Sequence, residues 1–411
     1  MIRAVQHRGP DGLSVRIDRR VGLAHARLSI IDLALGAQPI HNEDQTVWVV
    51  FNGEIFNYIE LRRDLQRLGH RFHTESDTEV IVHLYEEHGD SFVQHLNGQF
   101  AFALHDTLRQ RLVVARDRVG IRPVFYTVAD GRFAVASEIK ALFTLPAVER
   151  RLDVGALGEI FTWWSTLPPR TAFEGISQLP PGHLLVLELG AHAPAPRVSC
   201  YWDWQFPEST LGARSEADCA DELHALLVDA VRLQLRADVP VGAYLSGGLD
   251  SSIITAIIQR YTDTPLRTFS LTFDDAEFDE SEHQRVMVEH LGTDHTSVRA
   301  SRADIARAFP RTIWHAESPI VRTAPTPLML LSGHVRASGY KVVLTGEGAD
   351  EVLGGYDIFK EAKVRRFMAR VPGSKFRPEI IRRLYPWMTH APPAGNAFSQ
   401  AFFSQGLDQL H

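Results

Sequence analysis

The first half of the chain has the hydrophobic pattern of a β-rich domain. Its apolar residues come in short runs, many of them β-branched or aromatic, and turn or charged residues separate the runs. Such runs are typical of strands whose side chains are buried on one or both faces. Strands are therefore predicted at residues 47–51, 100–104, 112–115 and 133–136.

Two helices interrupt these predicted strands. Leu61, Leu65 and Leu68 share one helical face, and Gly69 follows them as a residue suited to end a helix. The next helix is predicted to start at residues 76–79, where Ser-Asp-Thr-Glu has the spacing of a capping box. We therefore expect sheets that are covered by few helices.

Helical and strand patterns alternate in the second half. This alternation favours a parallel sheet with helices on its faces. Helices are predicted at residues 223–231, at 252–261, at a segment that includes Val286 and Leu291, and at 328–335. Strands are predicted at residues 239–245, 266–273 and 340–344. A short helix is also predicted at residues 379–384.

The two halves are separated by turn-rich, weakly patterned residues between 190 and 219. Domain boundaries usually fall in such segments. We predict a first domain at residues 1–205, a linker at 206–222 and a second domain at 223–411.

Charge and composition narrow the class of protein. The 411 residues carry a net charge of −7, which argues against a general nucleic-acid or membrane-surface binder. No apolar run approaches the roughly 20 residues that a membrane helix needs. The chain has only two cysteines, Cys200 and Cys219, so it holds no disulfide framework, and this usage fits a reducing cytoplasm.

The strongest chemical signal is a Gly-Gly turn between a predicted strand and a predicted helix. Ser246, Gly247, Gly248, Asp250 and Ser251 form Ser-Gly-Gly-Leu-Asp-Ser. Backbone N–H groups at a helix start bind anions, and the glycines allow phosphate to approach the backbone. A carboxylate would repel phosphate unless Mg²⁺ lay between them. The pattern lacks a Walker A lysine and is similar to the pyrophosphate loop of N-type ATP pyrophosphatases; the alternative is a plain capped turn.

A second Gly-rich loop, with acidic residues, follows the predicted strand at 340–344. It covers residues 345–351 and ends in Asp350 and Glu351. Loops at the carboxyl ends of parallel strands converge on one crevice, so we expect both loops to meet over one nucleotide. The alternative is an exposed acidic turn.

These two loops, after a strand-rich first half, resemble glutamine-dependent asparagine synthetase of the bacterial B type. The resemblance extends through a series of motifs in the same order. It implies an α+β N-terminal-nucleophile glutaminase sandwich followed by an α/β parallel-sheet ATP pyrophosphatase domain. The motifs of the first half are residues 7–12, 27–32, 51–55, 76–79, 97–102, 115–123 and 136–142.

The resemblance assigns a glutamine site to the first half. It implies that Arg27 binds the α-carboxylate of glutamine, that Asn52 and Gly53 form an oxyanion hole, and that Glu54 and Asp77 hold the ammonium group. Taken singly, each has a plain alternative: a surface arginine, an Asn-Gly hairpin turn, or a carboxylate at a helix start.

In the second half the resemblance implies a site for ATP, Mg²⁺ and aspartate. Glu347 is the implied catalytic residue, which assists proton loss from the attacking amine. Arg322 and Thr323 lie where the family binds aspartate, although the local pattern of residues 317–323 departs from the usual one. The implied ATP-binding residues are Leu245, Ser246, Gly247, Gly248, Asp250, Ser251, Ser270, Leu271, Thr345, Gly346 and Glu347, and the implied metal ligands are Asp250 and Asp350.

The implied reaction is the ATP-dependent amidation of aspartate to asparagine through β-aspartyl-AMP, with glutamine or ammonia as nitrogen donor. The expected partners are these small molecules and a second copy of the chain, with no nucleic acid and no membrane. Two alternatives stay open. One is an adenylating relative that forms β-lactams or tailors peptides, and the other is a catalytically inactive module that binds glutamine or nucleotide.

The sequence departs from the family at both ends. The family glutaminase uses a cysteine at its mature N-terminus as nucleophile. Here residue 1 is Met and the first cysteine is Cys200. We therefore expect a chain that is truncated at both ends and, as written, does not hydrolyse glutamine.

Overall fold

A computed structural model describes residues 1–190, 194–206, 214–384 and 397–407. The chain divides into two compact units, Met1–Leu344 and Thr345–His411. Residues 207–213 of the predicted linker lie outside the described residues.

The described residues of the first half of the first unit form eleven strands, four α-helices and two 3-10 helices, the latter at Ile2–Arg8 and Gly89–His95. The strands are β1 Gly12–Asp18, β2 Val21–Arg27, β3 Ile40–His41, β4 Val47–Ile55, β5 Gly98–Asp106, β6 Arg111–Arg116, β7 Phe125–Ala129, β8 Arg132–Ala136, β9 Ser177–Gln178, β10 His183–Glu188 and β11 Arg197–Cys200. The helices are α1 Tyr58–Leu68, α2 Glu79–His88, α3 Ile139–Leu142 and α4 Val154–Trp163. All four strands predicted here are present.

A six-stranded antiparallel sheet, in the order β11-β10-β6-β5-β4-β3, is the centre of this half. Alternate side chains of each strand face opposite sides of a sheet. On β5, Phe102 and Leu104 pack with α2 in one core, and Ala101 and Ala103 pack in a second core with residues of β2, β7 and β8. The sheet is thus buried on both faces, which confirms the predicted sandwich.

Both predicted helices of this half form, but their ends differ from expectation. Gly69 ends α1 in the left-handed conformation, as predicted. Leu65 is buried, whereas Leu68 is exposed. The predicted capping box is wrong, because α2 starts at Glu79 and its cap makes no side-chain hydrogen bond. The Glu79 carboxylate instead accepts hydrogen bonds from the backbone N–H groups of His73 and Thr74 at 2.8 and 2.7 Å.

The second half of the first unit contains the predicted parallel sheet, in the order β14-β13-β12-β15. All of its pairings are parallel. Its strands are β12 Val241–Tyr244, β13 Arg267–Phe273, β14 Asp294–Ala300 and β15 Val342–Leu344. Its helices are α5 Glu216–Gln234, α6 Leu249–Tyr261, α7 Ser281–Leu291, α8 Arg302–Ala316 and α9 Pro325–Ala337.

Three features of this half were not predicted. Strand β14 carries mostly polar residues and lies at the edge of the sheet, so it lacks an apolar run. Helix α8 was not predicted and contains Pro310, a residue that usually interrupts a helix. Ser301 and Asp304 form a capping box at its start. Helix α5 begins at Glu216, so the last part of the predicted linker is helical.

Polar contacts join the two halves of the first unit. The Glu317 carboxylate accepts hydrogen bonds from the backbone N–H groups of Ile139 and Lys140, both at 2.6 Å. The Asp238 carboxylate accepts one from the Asp32 N–H at 2.7 Å. Two ion pairs add to these contacts, Arg236 with Glu60 and Lys341 with Asp11, both at 2.6 Å.

The second unit, Thr345–His411, has a small core of its own. Its helices are α10 Ala349–Leu353, α11 Asp357–Ala369 and α12 Ala397–Ser404, with a 3-10 helix at Arg377–Arg383 close to the predicted short helix. The core contains Val364, Met368, Ala369, Ile381, Leu384, Phe403 and Leu407. In the described parts of the chain, no helix combines the length and the apolar character that a membrane span requires.

The parallel sheet depends on Phe269 of β13, which is fully buried against Leu331 and Val335 of α9. Truncation to alanine removes these contacts and leaves a cavity. We expect Phe269→Ala to lower the free energy of unfolding by about 3–5 kcal/mol in urea denaturation. Phe161→Ala is the matched control, because Phe161 is largely exposed and should change stability by less than about 0.5 kcal/mol. Equal effects of the two variants would contradict this account of the core.

Candidate functional site

All five residues predicted to bind glutamine line one cavity of about 550 Å³ in the first half of the chain: Arg27, Asn52, Gly53, Glu54 and Asp77. The cavity lies at the ends of β2 and β4 and at the start of α2. The fold therefore brings these residues, which are distant in sequence, to one cavity.

Strand β4 lines the cavity with residues 50–54, which include the predicted ligands Asn52, Gly53 and Glu54. Gly53 has a φ of +153°, and a Cβ atom there would lie 2.0 Å from the carbonyl oxygen of Gln99 on β5. Only glycine fits this close approach of two backbones. The Nδ2 atom of Asn52 is buried and has no hydrogen-bond partner. A buried donor without a partner is costly, and here it is free to bind a ligand oxygen.

Two buried carboxylates, Glu54 and Asp77, line the same cavity. Burial and the nearby Asp77 carboxylate raise the pKa of Glu54 to about 7. Burial raises the pKa of Asp77 to about 6, although Asp77 accepts a hydrogen bond from the Ile55 N–H at 2.9 Å. A cation near Glu54 and Asp77 would favour the ionised form of both carboxylates. An ammonium group has the charge and the donors for this position.

Arg27, at the end of β2, supplies the opposite charge. Its guanidinium donates hydrogen bonds only to backbone carbonyl oxygens, of Asp32 at 2.5 Å and of Leu33 at 3.4 Å. Among the described residues it makes no ion pair with a carboxylate. The cavity thus presents an unneutralised cation and two carboxylates, which is the charge pattern complementary to an α-amino acid.

Several further charged or titratable residues line the cavity and were not among the predicted ligands, including Arg8, Arg122, Glu138 and His25. Arg122 is half-buried, and its charge opposes the upward shift in the pKa of Glu54. Burial and the Arg27 guanidinium lower the pKa of His25 to about 4, so His25 is neutral near pH 7. Arg122 lies within the predicted motif 115–123. No sequence pattern pointed to His25, because its lowered pKa depends on its burial and on the nearby Arg27 in the folded chain.

The predicted pyrophosphate loop lies between β12 and α6. Gly247 has a φ of +85°, and a Cβ atom there would lie 2.7 Å from Cβ of His283. The Ser251 hydroxyl is buried and accepts a hydrogen bond from the Ser246 N–H at 3.1 Å. Asp250 is in the first turn of α6, at the positive end of the helix dipole. The Ser252 Oγ atom next to it is buried without a partner.

The adjacent predicted ATP residues have mainly internal contacts. Leu245 is fully buried, and its N–H donates to the Phe269 carbonyl at 2.9 Å. The Ser270 hydroxyl donates to Oε1 of Gln284 at 2.8 Å and lies 3.1 Å from Nε2 of His295. Leu271 lies on the other face of β13 and packs beside the core of Phe269. The hydroxyl of Ser270 is therefore engaged within the fold.

The second predicted loop starts directly after β15 and belongs to the second unit. The Glu347 N–H donates to Oγ1 of Thr345 at 3.3 Å, and Glu347 is exposed. Gly346 lies between them, and Asp350 is in the first turn of α10. Among the described atoms around Asp350, the Gly355 N–H donates to its carbonyl oxygen at 3.0 Å. These hydrogen bonds use backbone atoms of Glu347 and Asp350, so they do not occupy the carboxylate oxygens that could bind an amine or a metal ion.

The predicted aspartate residues lie between α8 and α9. The Arg322 guanidinium stacks on the Trp164 ring, 5.3 Å from its centre, and both Arg322 and Thr323 are exposed. Glu317, at the start of the same segment, binds the other half of the first unit as described above. Of the two cysteines, Cys200 is exposed and Cys219 half-buried, both are reduced, and neither lines the cavity.

Comparison with known proteins gives the same two-part organisation. Residues 1–202 match the glutamine amidotransferase domain, and residues 222–404 match asparagine synthase. The chain is 36% identical to Amidase chyE of Penicillium rubens, over 87% of this chain and 54% of that protein. It is 33% identical to glutamine-hydrolysing asparagine synthetase 1 of Bacillus subtilis (90% and 57%) and 35% identical to asparagine synthetase 2 of Arabidopsis thaliana (93% and 60%).

The chain spans little more than half the length of these relatives. The two matched segments lie in the order that the sequence predicts for the two domains, and together they cover most of the described residues. The chain therefore belongs to two domain families, with a glutamine amidotransferase domain at residues 1–202 followed by an asparagine synthase domain at residues 222–404.

Proposed function

We propose that the protein takes part in ATP-dependent amidation of aspartate to asparagine, with glutamine or ammonia as nitrogen donor. The observation that carries the proposal is the charge pattern of the cavity: a guanidinium without an ion pair, two carboxylates with raised pKa values and an unpartnered amide surround one space. We further propose that residues 1–205 bind glutamine and residues 223–411 activate the acceptor, with residues 206–222 between them.

In the glutamine cavity each residue has a separate task. Arg27 binds the α-carboxylate through two guanidinium donors, and Glu54 and Asp77 accept hydrogen bonds from the ammonium group. The Asn52 amide and the backbone N–H of Gly53 donate to the oxygen that becomes negative when the side-chain amide is attacked. Because the Asn52 Nδ2 atom has no partner within the fold, it is available without breaking another bond.

The loop from Ser246 to Ser252 fits Mg²⁺ and the phosphates of ATP. Its helix start offers backbone donors, Ser252 offers a buried hydroxyl without a partner, and Asp250 offers a carboxylate at the same helix turn. Mg-ATP, when bound, supplies the adenylyl group and the pyrophosphate leaving group. Asp250 would hold the metal, Asp350 is a second proposed ligand, and the loop donors would neutralise the phosphate oxygens.

Glu347 is the proposed base for the last step. Its exposed carboxylate would accept a proton as the amine attacks the acyl carbon. Thr345 and Gly346, together with Leu245, Ser270 and Leu271, are the proposed flanking contacts of the nucleotide. Arg322 and Thr323 are proposed to bind the acceptor amino acid.

A different acceptor is the second candidate function. The relative named Amidase chyE matches the chain as well as the asparagine synthetases do. Arg322 stacks on the ring of Trp164, so an apolar ring lies beside the residue proposed to bind the acceptor. A β-lactam-forming or peptide-tailoring relative would use the same adenylation on another carboxylic acid.

Pyrophosphate release measures the proposed adenylation directly. With Mg-ATP, an ammonium salt and aspartate, we expect the full chain to release pyrophosphate, and Asp250→Asn to lose at least about 90% of this rate because the metal loses a charged ligand. Ammonium makes the assay independent of glutamine hydrolysis. Asp263→Asn, an exposed change just after the other end of α6, is the matched control and should keep the wild-type rate.

Full activity of Asp250→Asn would remove the proposed role of this loop. Release that depends on a different amino acid while aspartate has no effect would favour the second candidate function.

Glutamine binding should depend on pH through Glu54 and Asp77. Both must be ionised to hold an ammonium group, and their pKa values are about 7 and about 6. Affinity measured by calorimetry should therefore rise from about pH 5 to about pH 8. Glu54→Gln should weaken binding at least about tenfold at the higher pH and flatten the profile. Glu75→Gln, whose side chain is exposed and pairs with Arg62, should bind glutamine as the wild type does.

The same carboxylates predict how stability changes with pH. In the unfolded chain the Glu54 side chain has its ordinary pKa near 4.5, so between about pH 4.5 and pH 7 the folded state binds a proton that the unfolded state has lost. The contribution of Glu54 to the free energy of unfolding should therefore fall across this range. In urea denaturation at about pH 8, Glu54→Gln should be more stable than the wild type, because it removes a buried negative charge. A less stable variant would contradict the raised pKa assigned to Glu54.

A further inference from the structure

A cluster of four potential metal ligands lies outside the glutamine cavity. Glu43 is in the turn between β3 and β4, His70 follows α1, and His83 and Glu86 lie one turn apart on α2. One ligand atom from each residue can be chosen so that all four lie within 4.8 Å of one another. The cluster therefore draws on three separate segments of the chain.

The distances within the cluster match those around a tetrahedral ion. Nδ1 of His70 is 3.4 Å from Oε1 of Glu43 and 3.8 Å from Oε2 of Glu86. Nδ1 of His83 is 3.5 Å from Oε2 of Glu43 and 3.3 Å from Oε2 of Glu86. Zinc bonds of about 2.0–2.1 Å to nitrogen and oxygen place tetrahedral ligand atoms about 3.3–3.4 Å apart.

The surroundings of the histidines also resemble those of bound imidazoles. Nε2 of His70 is 2.9 Å from Glu87, and Nε2 of His83 is 3.5 Å from Glu79. A carboxylate on the far nitrogen of a histidine, as Glu87 is at His70, turns Nδ1 toward the metal and raises its basicity. His83 is completely buried, and its Nε2 makes no hydrogen bond within the described part of the chain, so packing rather than Glu79 sets the position of its ring.

The two glutamates of the cluster are themselves held in place. The Asn42 Nδ2 atom donates to Oε1 of Glu86 at 2.6 Å, which leaves Oε2 directed at the histidines. The Arg71 N–H donates to Oε1 of Glu43 at 2.7 Å. With Glu79 and Glu87, four carboxylates surround two histidines, so the cluster is negative overall when the imidazoles are neutral. A divalent cation would offset this charge.

We propose that Glu43, His70, His83 and Glu86 form a structural zinc site. Two imidazole nitrogens and two carboxylate oxygens are donors that Zn²⁺ accepts, and four protein ligands leave no open position for catalysis. The site ties α2 to the β3–β4 turn and to the segment after α1. Because Asp77 lies just before α2, the metal would stabilise the wall of the glutamine cavity without touching the substrate.

Zinc retention is the direct test. The full chain, carrying no polyhistidine tag, is loaded with Zn²⁺, dialysed, and its zinc content measured by mass spectrometry. We expect about one zinc per chain in the wild type and less than about a tenth of this in His70→Gln and Glu43→Gln. A chelator should lower the melting temperature of the wild type but not that of these variants. His88→Gln, on the same helix with its ring stacked on His95, is the matched control and should keep its zinc.

Zinc content that is no higher in the dialysed wild type than in His70→Gln would overturn the proposal, and would assign the cluster to a hydrogen-bonded network with protonated histidines. Glu43 is in a partly exposed turn, and glutamine can still accept the hydrogen bond from Arg71. If His70→Gln does not fold, the zinc content of Glu43→Gln is compared with that of the wild type instead.

Discussion

The close pairing of β4 with β5 is the constraint on which the glutamine cavity depends. At Gly53 the two backbones approach so closely that no side chain fits between them. This contact fixes the direction of the two neighbouring side chains, so that Asn52 brings an unpartnered amide to the cavity and Glu54 a buried carboxylate. Both features cost folding free energy. A ligand that provides an oxygen acceptor and a cation would recover part of that cost.

The same half of the chain is joined to the parallel sheet through groups that are polar and specific. Glu317 binds the start of α3, and Asp238 binds the loop that also supports Arg27 through the Asp32 carbonyl. Two or more hydrogen bonds with charged groups fix orientation more than they add stability. The segment of Glu317 precedes the proposed acceptor residues. A change of acceptor specificity in this segment would therefore also act on the contact between the two halves.

Sequence reasoning succeeded where side-chain pattern and local structure agree. Strands β4, β5 and β6 of the central sheet follow from their apolar runs, and the end of α1 follows from Gly69. It failed at β14, whose edge position requires few apolar residues, and at α8, where Pro310 obscured a helix that Ser301 and Asp304 start. At residues 76–79 the expected capping box did not form, because Glu79 binds the backbone of the preceding loop instead.

The sequence by itself determined the class of fold, the two loop motifs and the order of the two domains, since these depend on local periodicity and on short spacings along the chain. Only the tertiary structure decided which charges stay unpaired. Arg27, Glu54 and Asp77 come from three separate segments of the chain, and the raised pKa values of Glu54 and Asp77 follow from burial, with the Asp77 charge adding to the shift of Glu54. The Glu43, His70, His83 and Glu86 cluster has the same origin, because packing of α2 against a turn sets distances that no spacing in the sequence encodes.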